Sequence, residues 1–127
     1  MGIHFLAFVP QLHQRDCAVA ALAMLLDISY ENALHAFRHN VVARGATVSQ
    51  IRKAAERVGR TLLLRRRVDL EHDTGILCIR SLKWADDHLG ILKEGIIVDT
   101  DGTLWDADVY LATYEAKVLS LLSTQEK

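Results

Sequence analysis

Two cysteines and six histidines carry most of the chemistry that this chain could perform. Cys17 follows Asp16 and heads the apolar run Ala18 to Leu26. A thiol in the first turn of a helix faces unpaired backbone N–H groups and the positive end of the helix dipole, which favours the nucleophilic thiolate. That effect is worth roughly 0.3–1 kcal/mol when exposed and up to about 2 when partly buried, so a histidine partner must supply the rest. Position alone also allows Cys17 to be a core thiol. Cys78, inside Ile76-Leu77-Cys78-Ile79, reads as a small buried hydrophobe.

Among the histidines, His88 is the general-base candidate. It opens an apolar run and follows Trp84, Asp86 and Asp87, polar enough to keep it reachable. The competing reading is a solvent-facing imidazole beside two aspartates. Asp99 is the candidate to orient His88, with Asp101 and Asp106 in reserve, and the plain alternative is that residues 99–102 are only a turn. His35 and His39 stand four apart, a metal-ligand spacing on a helix, but no carboxylate or thiol nearby completes a set. They read as a solvated face, so no metal or other cofactor is expected. His13 is placed at a cleft rim, and His4 and His72 have no distinguishing context.

These side chains need elements to hold them. Ala18 to Leu26 has strong helix formers and no polar face, so it must be a helix surrounded by protein, with Cys17 in its first turn. Asp16 is the expected N-cap. Ser29 is the expected cap of a second helix through Ala33 to Phe37. Thr47-Val48-Ser49-Gln50 fits a capping box and opens a third, with Val48, Ile51, Ala54, Ala55 and Val58 on one face and a stop at Gly59. After Gly59 the runs shorten into strands: Thr61 to Leu64, Ile76 to Ile79, His88 to Leu92, Ile96 to Val98 and Thr103 to Trp105. Lys93-Glu94-Gly95 and Thr100-Asp101-Gly102 are turn signals. The first of these folds the chain back so that Asp99 returns beside His88. The tail, Val109 to Leu122, fits helix or strand. Helices first and an antiparallel sheet second predict an α+β fold, with residues 1–127 as a single domain.

The segment Pro10 to Met24 resembles the nucleophile region of papain-like cysteine peptidases, most closely the bacteriocin-processing peptidase family C39. Gln11 and Cys17 have the family's spacing, Asp16 precedes the cysteine, and a small-residue helix follows. The resemblance implies that Cys17 is the nucleophile and that Gln11 helps form the oxyanion hole. It continues through Thr47 to Gly59, Gly75 to Ile79, the histidine-led strand at His88 and the strand ending in Asp99, so that it spans residues 9 to about 100. The chain order Cys, His, Asp is that of papain-like enzymes. The chain has Ala18 where the family usually has Gly, and Thr100 where Pro is common. The resemblance implies a papain-like fold and a cysteine peptidase that cuts an amide bond in a peptide or protein. The alternatives are a catalytically silent peptide-binding module on the same fold, or an acyltransferase using the same triad.

Composition narrows the classes. The chain has 127 residues, half of them apolar, with only eight Gly and Pro, which excludes a low-complexity chain. Fifteen basic residues against sixteen acidic ones leave a net charge of -1, so no global field points to nucleic acid or to a membrane surface. The apolar start, Ile3 to Val9, lacks the features of a secretory signal, and the run from Ala18 to Leu26 is too short to span a bilayer. Two cysteines do not make a disulfide framework, and a cytoplasmic location is expected. Arg65-Arg66-Arg67 is the one strong charge run; bordering a cleft, it would select acidic peptides.

Overall fold

The computed structural model describes residues 16–84 and 87–124. Helix α1 (Cys17–Leu26) forms from alanines and long aliphatics, and every residue from Ala18 to Leu26 is buried. It ends where Asp27 turns left-handed at φ 57°. Ser29 then caps α2 (Tyr30–Ala36), its hydroxyl oxygen accepting from the Asn32 N–H at 3.0 Å. A short α3 (Val41–Arg44) lies in a stretch with too few residues to display a helical period. The capping box at the start of α4 (Val48–Arg57) is complete: Gln50 N–H donates to the Thr47 hydroxyl at 3.2 Å, and Thr47 N–H donates to Gln50 Oε1 at 2.9 Å. Ile51, Ala54 and Ala55 face the core, and Val58 is past the last turn and exposed.

The sheet has six antiparallel strands in the order β1 (Leu62–Arg65), β6 (Ala116–Thr124), β2 (Thr74–Ser81), β3 (His88–Lys93), β4 (Ile96–Val98) and β5 (Leu104–Asp106). Side chains alternate between its faces. Ile76, Leu89, Ile91, Val98 and Leu122 pack with α1, α2 and α4. Leu77, Ile79, Leu92, Ile97 and Leu121 pack with Ala107 and Tyr110 of α5 (Ala107–Thr113). The fold is α+β with its first helices on an antiparallel sheet, as expected from the sequence. The tail is both of the things its sequence allowed, helix α5 and then strand β6, and α5 covers the face opposite α1.

Two local features set the register. Glu94 (φ 47°) and Gly95 (φ 91°) form a two-residue loop between Lys93 and Ile96. Two left-handed residues twist a hairpin in the sense that the strands need. Across β2 and β6, Cys78 lies opposite Ser120 and Ile79 opposite Val118, so Leu119 is an extra residue that bulges β6 beside Cys78. Gly75 has no room for a side chain, because a Cβ would press on the Leu122 carbonyl.

Among the described residues no single helix is long and apolar enough to cross a membrane. Helices α1 and α2 meet both criteria only as a pair bent by 113°, and α1 is the buried core helix.

Candidate active site

Cys17 is the first residue of α1, so its backbone N–H has no acceptor within the helix. Its half-buried side chain lines a cleft together with His88, Asp99 and Trp84. Asp16 occupies the N-cap position but makes no side-chain capping bond. Its fully buried carboxylate instead accepts from the Tyr30 hydroxyl at 2.6 Å, which ties the start of α1 to α2. Burial and this carboxylate push the Tyr30 hydroxyl pKa well up, so the phenol stays protonated and keeps donating.

His88 opens β3 and Asp99 follows the last residue of β4, so the Glu94-Gly95 hairpin brings them together. His88 Nε2 lies 2.6 Å from Asp99 Oδ1. The carboxylate is itself held from two sides: the Thr100 N–H donates to Oδ1 at 2.8 Å and the Tyr110 hydroxyl donates to Oδ2 at 3.0 Å. A carboxylate accepts only, so His88 donates Nε2–H, and its other ring nitrogen, Nδ1, is left for Cys17. The Cys17 sulfur acts on the same imidazole as hydrogen-bond partner and as nearby charge.

The protonation balance follows from these contacts. Burial works against an imidazolium at His88, but the hydrogen bonds to Asp99 and Cys17 and their charges outweigh it, and its pKa rises to about 9. Burial also works against an ionised Asp99, yet the hydrogen bond and charge of His88, with the Thr100 and Tyr110 donors, hold it below the ordinary carboxylate value. Burial and the Asp99 charge push the Tyr110 hydroxyl strongly up, so it remains a donor. Cys78 is partly buried and lines the same cleft; desolvation, Asp87 and the nearby Cys17 raise its thiol to about 11. That keeps Cys78 a neutral thiol at ordinary pH, in contrast to a nucleophile.

Aromatic rings close the region behind the histidine. Trp84 meets His88 edge-on at 5.4 Å between centroids, and lies tilted against Tyr114 at 5.5 Å. Trp105 packs on Tyr110 at 5.4 Å and donates its indole N–H to the Thr103 hydroxyl at 2.9 Å. Trp84 is thus cleft wall, and Trp105 supports Tyr110 from behind. Tyr110 was not foreseen at all. Its contact with Asp99 depends on α5 folding back under the hairpin.

The remaining candidates are sorted by position. Asp101 accepts from the Thr103 N–H at 3.0 Å and hydroxyl at 2.6 Å, which commits it to the β4–β5 turn. Asp106 is exposed and precedes α5. Asp99, rather than either of them, is the carboxylate paired with His88. Gln11, His13 and His4 lie outside the described residues, as does Asp86. Helix α2 ends at Ala36, so His35 and His39 do not share a helix face; His39 Nε2 bonds the Gly45 carbonyl at 2.8 Å. Among the described residues no cluster of three or more His, Cys, Asp or Glu is arranged to hold a metal. The arginine triplet lies at the end of β1, and none of its members lines the cleft. Arg65 reaches Asp73 at 3.4 Å.

The Peptidase C39 family model matches residues 6–66. The match is narrower than the resemblance read from the sequence. It contains Gln11 and Cys17 and ends just after β1, so His88 and Asp99 lie beyond it. No curated protein and no solved structure matches the chain. Over that cysteine-bearing part, a little under half of the chain, the protein is similar to the Peptidase C39 family, and its α+β fold brings a histidine and an aspartate to the cysteine that the match contains.

Proposed function

We propose that this chain hydrolyses an amide bond in a peptide or protein, with Cys17 as nucleophile, His88 as acid and base, and Asp99 as the residue that positions His88. The observation that carries this reading is one imidazole, 2.6 Å from a carboxylate at Nε2, that lines a cleft together with a helix-start thiol whose influence it also feels. Asp99 holds the ring in a single tautomer and stabilises its charged form. The sulfur of Cys17, having given its proton to His88, attacks the substrate carbonyl carbon and forms a C–S bond. The oxyanion is received by the Cys17 backbone N–H and, on the strength of the resemblance, by the Gln11 side-chain amide. His88 then protonates the departing amine as the C–N bond breaks. A water molecule that gives its proton to His88 attacks the thioester, and the acid is released with the thiol restored.

The test is selective alkylation. Iodoacetamide at pH 7 is expected to modify Cys17 well before Cys78 and to stop peptide cleavage in proportion to Cys17 labelling, followed by peptide mapping. Cys17→Ala should remove cleavage and leave the circular dichroism spectrum intact. Equal labelling of both thiols, or cleavage that survives Cys17→Ala, would sink the assignment.

A further inference from the structure

The charges along the cleft are unequally committed. Among its described lining residues the carboxylates are Asp87 and Asp99. Asp99 is held by His88, Thr100 and Tyr110. Asp87 is held in a two-pronged pair with Arg80, at 2.8 and 3.1 Å. The cations Arg44 and Lys83 line the same cleft, are exposed, and belong to no ion pair among the described residues. Among the described residues the Lys83 ammonium makes one polar contact, a long one of 3.4 Å to the neutral Thr113 carbonyl. Thr47, Val48 and Gln50, at the start of the ten-residue helix α4, line the wall as well and add the positive end of its dipole. A chain of net charge -1 thus presents a cleft whose unpaired charges, among the described residues, are positive.

We propose that Arg44 and Lys83 select substrates bearing a carboxylate close to the bond that is cut. The inference rests on the peptidase reading of the cleft and adds a substrate class to it. Guanidinium and ammonium groups held in no ion pair meet a carboxylate without first breaking one, and they raise the encounter rate of anions at the thiol. The carboxylate belongs either to an Asp or Glu side chain or to a chain terminus.

The first measurement needs no known substrate. The rate of Cys17 alkylation by iodoacetate is divided by that by iodoacetamide, each corrected for its rate with free cysteine. Removing one unit charge at roughly 10 Å through a water-like dielectric lowers such a ratio about twofold at low ionic strength. Arg44→Gln and Lys83→Gln are each expected to show that fall at low ionic strength, and the double variant about fourfold. Arg66→Gln removes the same charge from an exposed site outside the cleft and should leave the ratio where it was. A double variant with an unmoved ratio, or an equal fall in Arg66→Gln, overturns the proposal. The second measurement compares kcat/KM for peptides differing only as Glu against Gln, and as free C-terminal acid against amide. A preference in one series identifies the source of the carboxylate. Cleavage of all four with no preference overturns the inference while the peptidase reading stands. No cleavage, with Cys17 alkylated no faster than Cys78, overturns both.

Discussion

Asp99 combines three acceptor duties in one side chain, toward His88, Thr100 and Tyr110. Asp99→Asn leaves the shape but removes the charge that helps hold His88 near pKa 9. The expected outcome is a kcat/KM lower by on the order of 10²-fold, with the alkaline limb of the pH profile moved down toward the ordinary histidine value, because the positioned imidazolium is then lost sooner. A pH–rate series on the variant checks it, and an unshifted limb would contradict the role given to Asp99. Tyr110→Phe deletes a buried donor to a charged acceptor. A loss of about 1.5–3 kcal/mol in stability is expected from urea unfolding. At this scale the pairing of His88 with Asp99 was readable, since residues 93–95 advertise a turn and strand length then determines what meets. The duty of Tyr110 was not. It sits eleven residues beyond Asp99, past a strand and a turn, and no local pattern reports that distance.

Among the elements, the hairpin between β3 and β4 is where sequence and geometry agree least comfortably. Glu94 adopts φ 47°, a conformation that suits Asn or Gly better than Glu, while Gly95 at φ 91° is well matched. Glu94→Asn is therefore expected to raise stability by about 0.5–1 kcal/mol, and Gly95→Ala to lower it by about 1 kcal/mol, both read by thermal melting. The latter should also reduce activity, because this loop determines how Asp99 faces His88. The capping box of α4 and the apolar run of α1 were legible because each carries its own signal, the Thr47–Gln50 spacing and an absence of any polar face. The tail was not, since alternating and helical apolar spacings overlap between Val109 and Leu122. Only tertiary contacts divide that stretch near Tyr114, α5 packing on one sheet face and β6 pairing between β1 and β2.

For the whole molecule, the buried charge pair links folding to pH. His88 has its pKa raised in the folded state, so its contribution is fully present below about 6.5 and is lost as pH rises through about 9, amounting to at most about 3 kcal/mol. Asp99 has its pKa lowered, so its contribution is present above the ordinary carboxylate value and fades as pH falls through the folded one. Thermal melts from pH 3 to 10 should give a plateau near pH 5–6 and a decline on both sides, and the alkaline decline should flatten in Asp99→Asn. The α+β class was readable at this scale from helical runs preceding short strands. The strand order was not, because nothing local marks β6 for a place between β1 and β2. That insertion has a temporal meaning. During synthesis β1 through β5 leave the ribosome before the strand that joins β1 to the rest exists, so the nascent sheet waits in two pieces with the β2 edge open. Folding must end with a long-range closure, and a nascent chain stalled at Glu115 would expose an edge able to recruit a neighbouring chain in place of its own last strand.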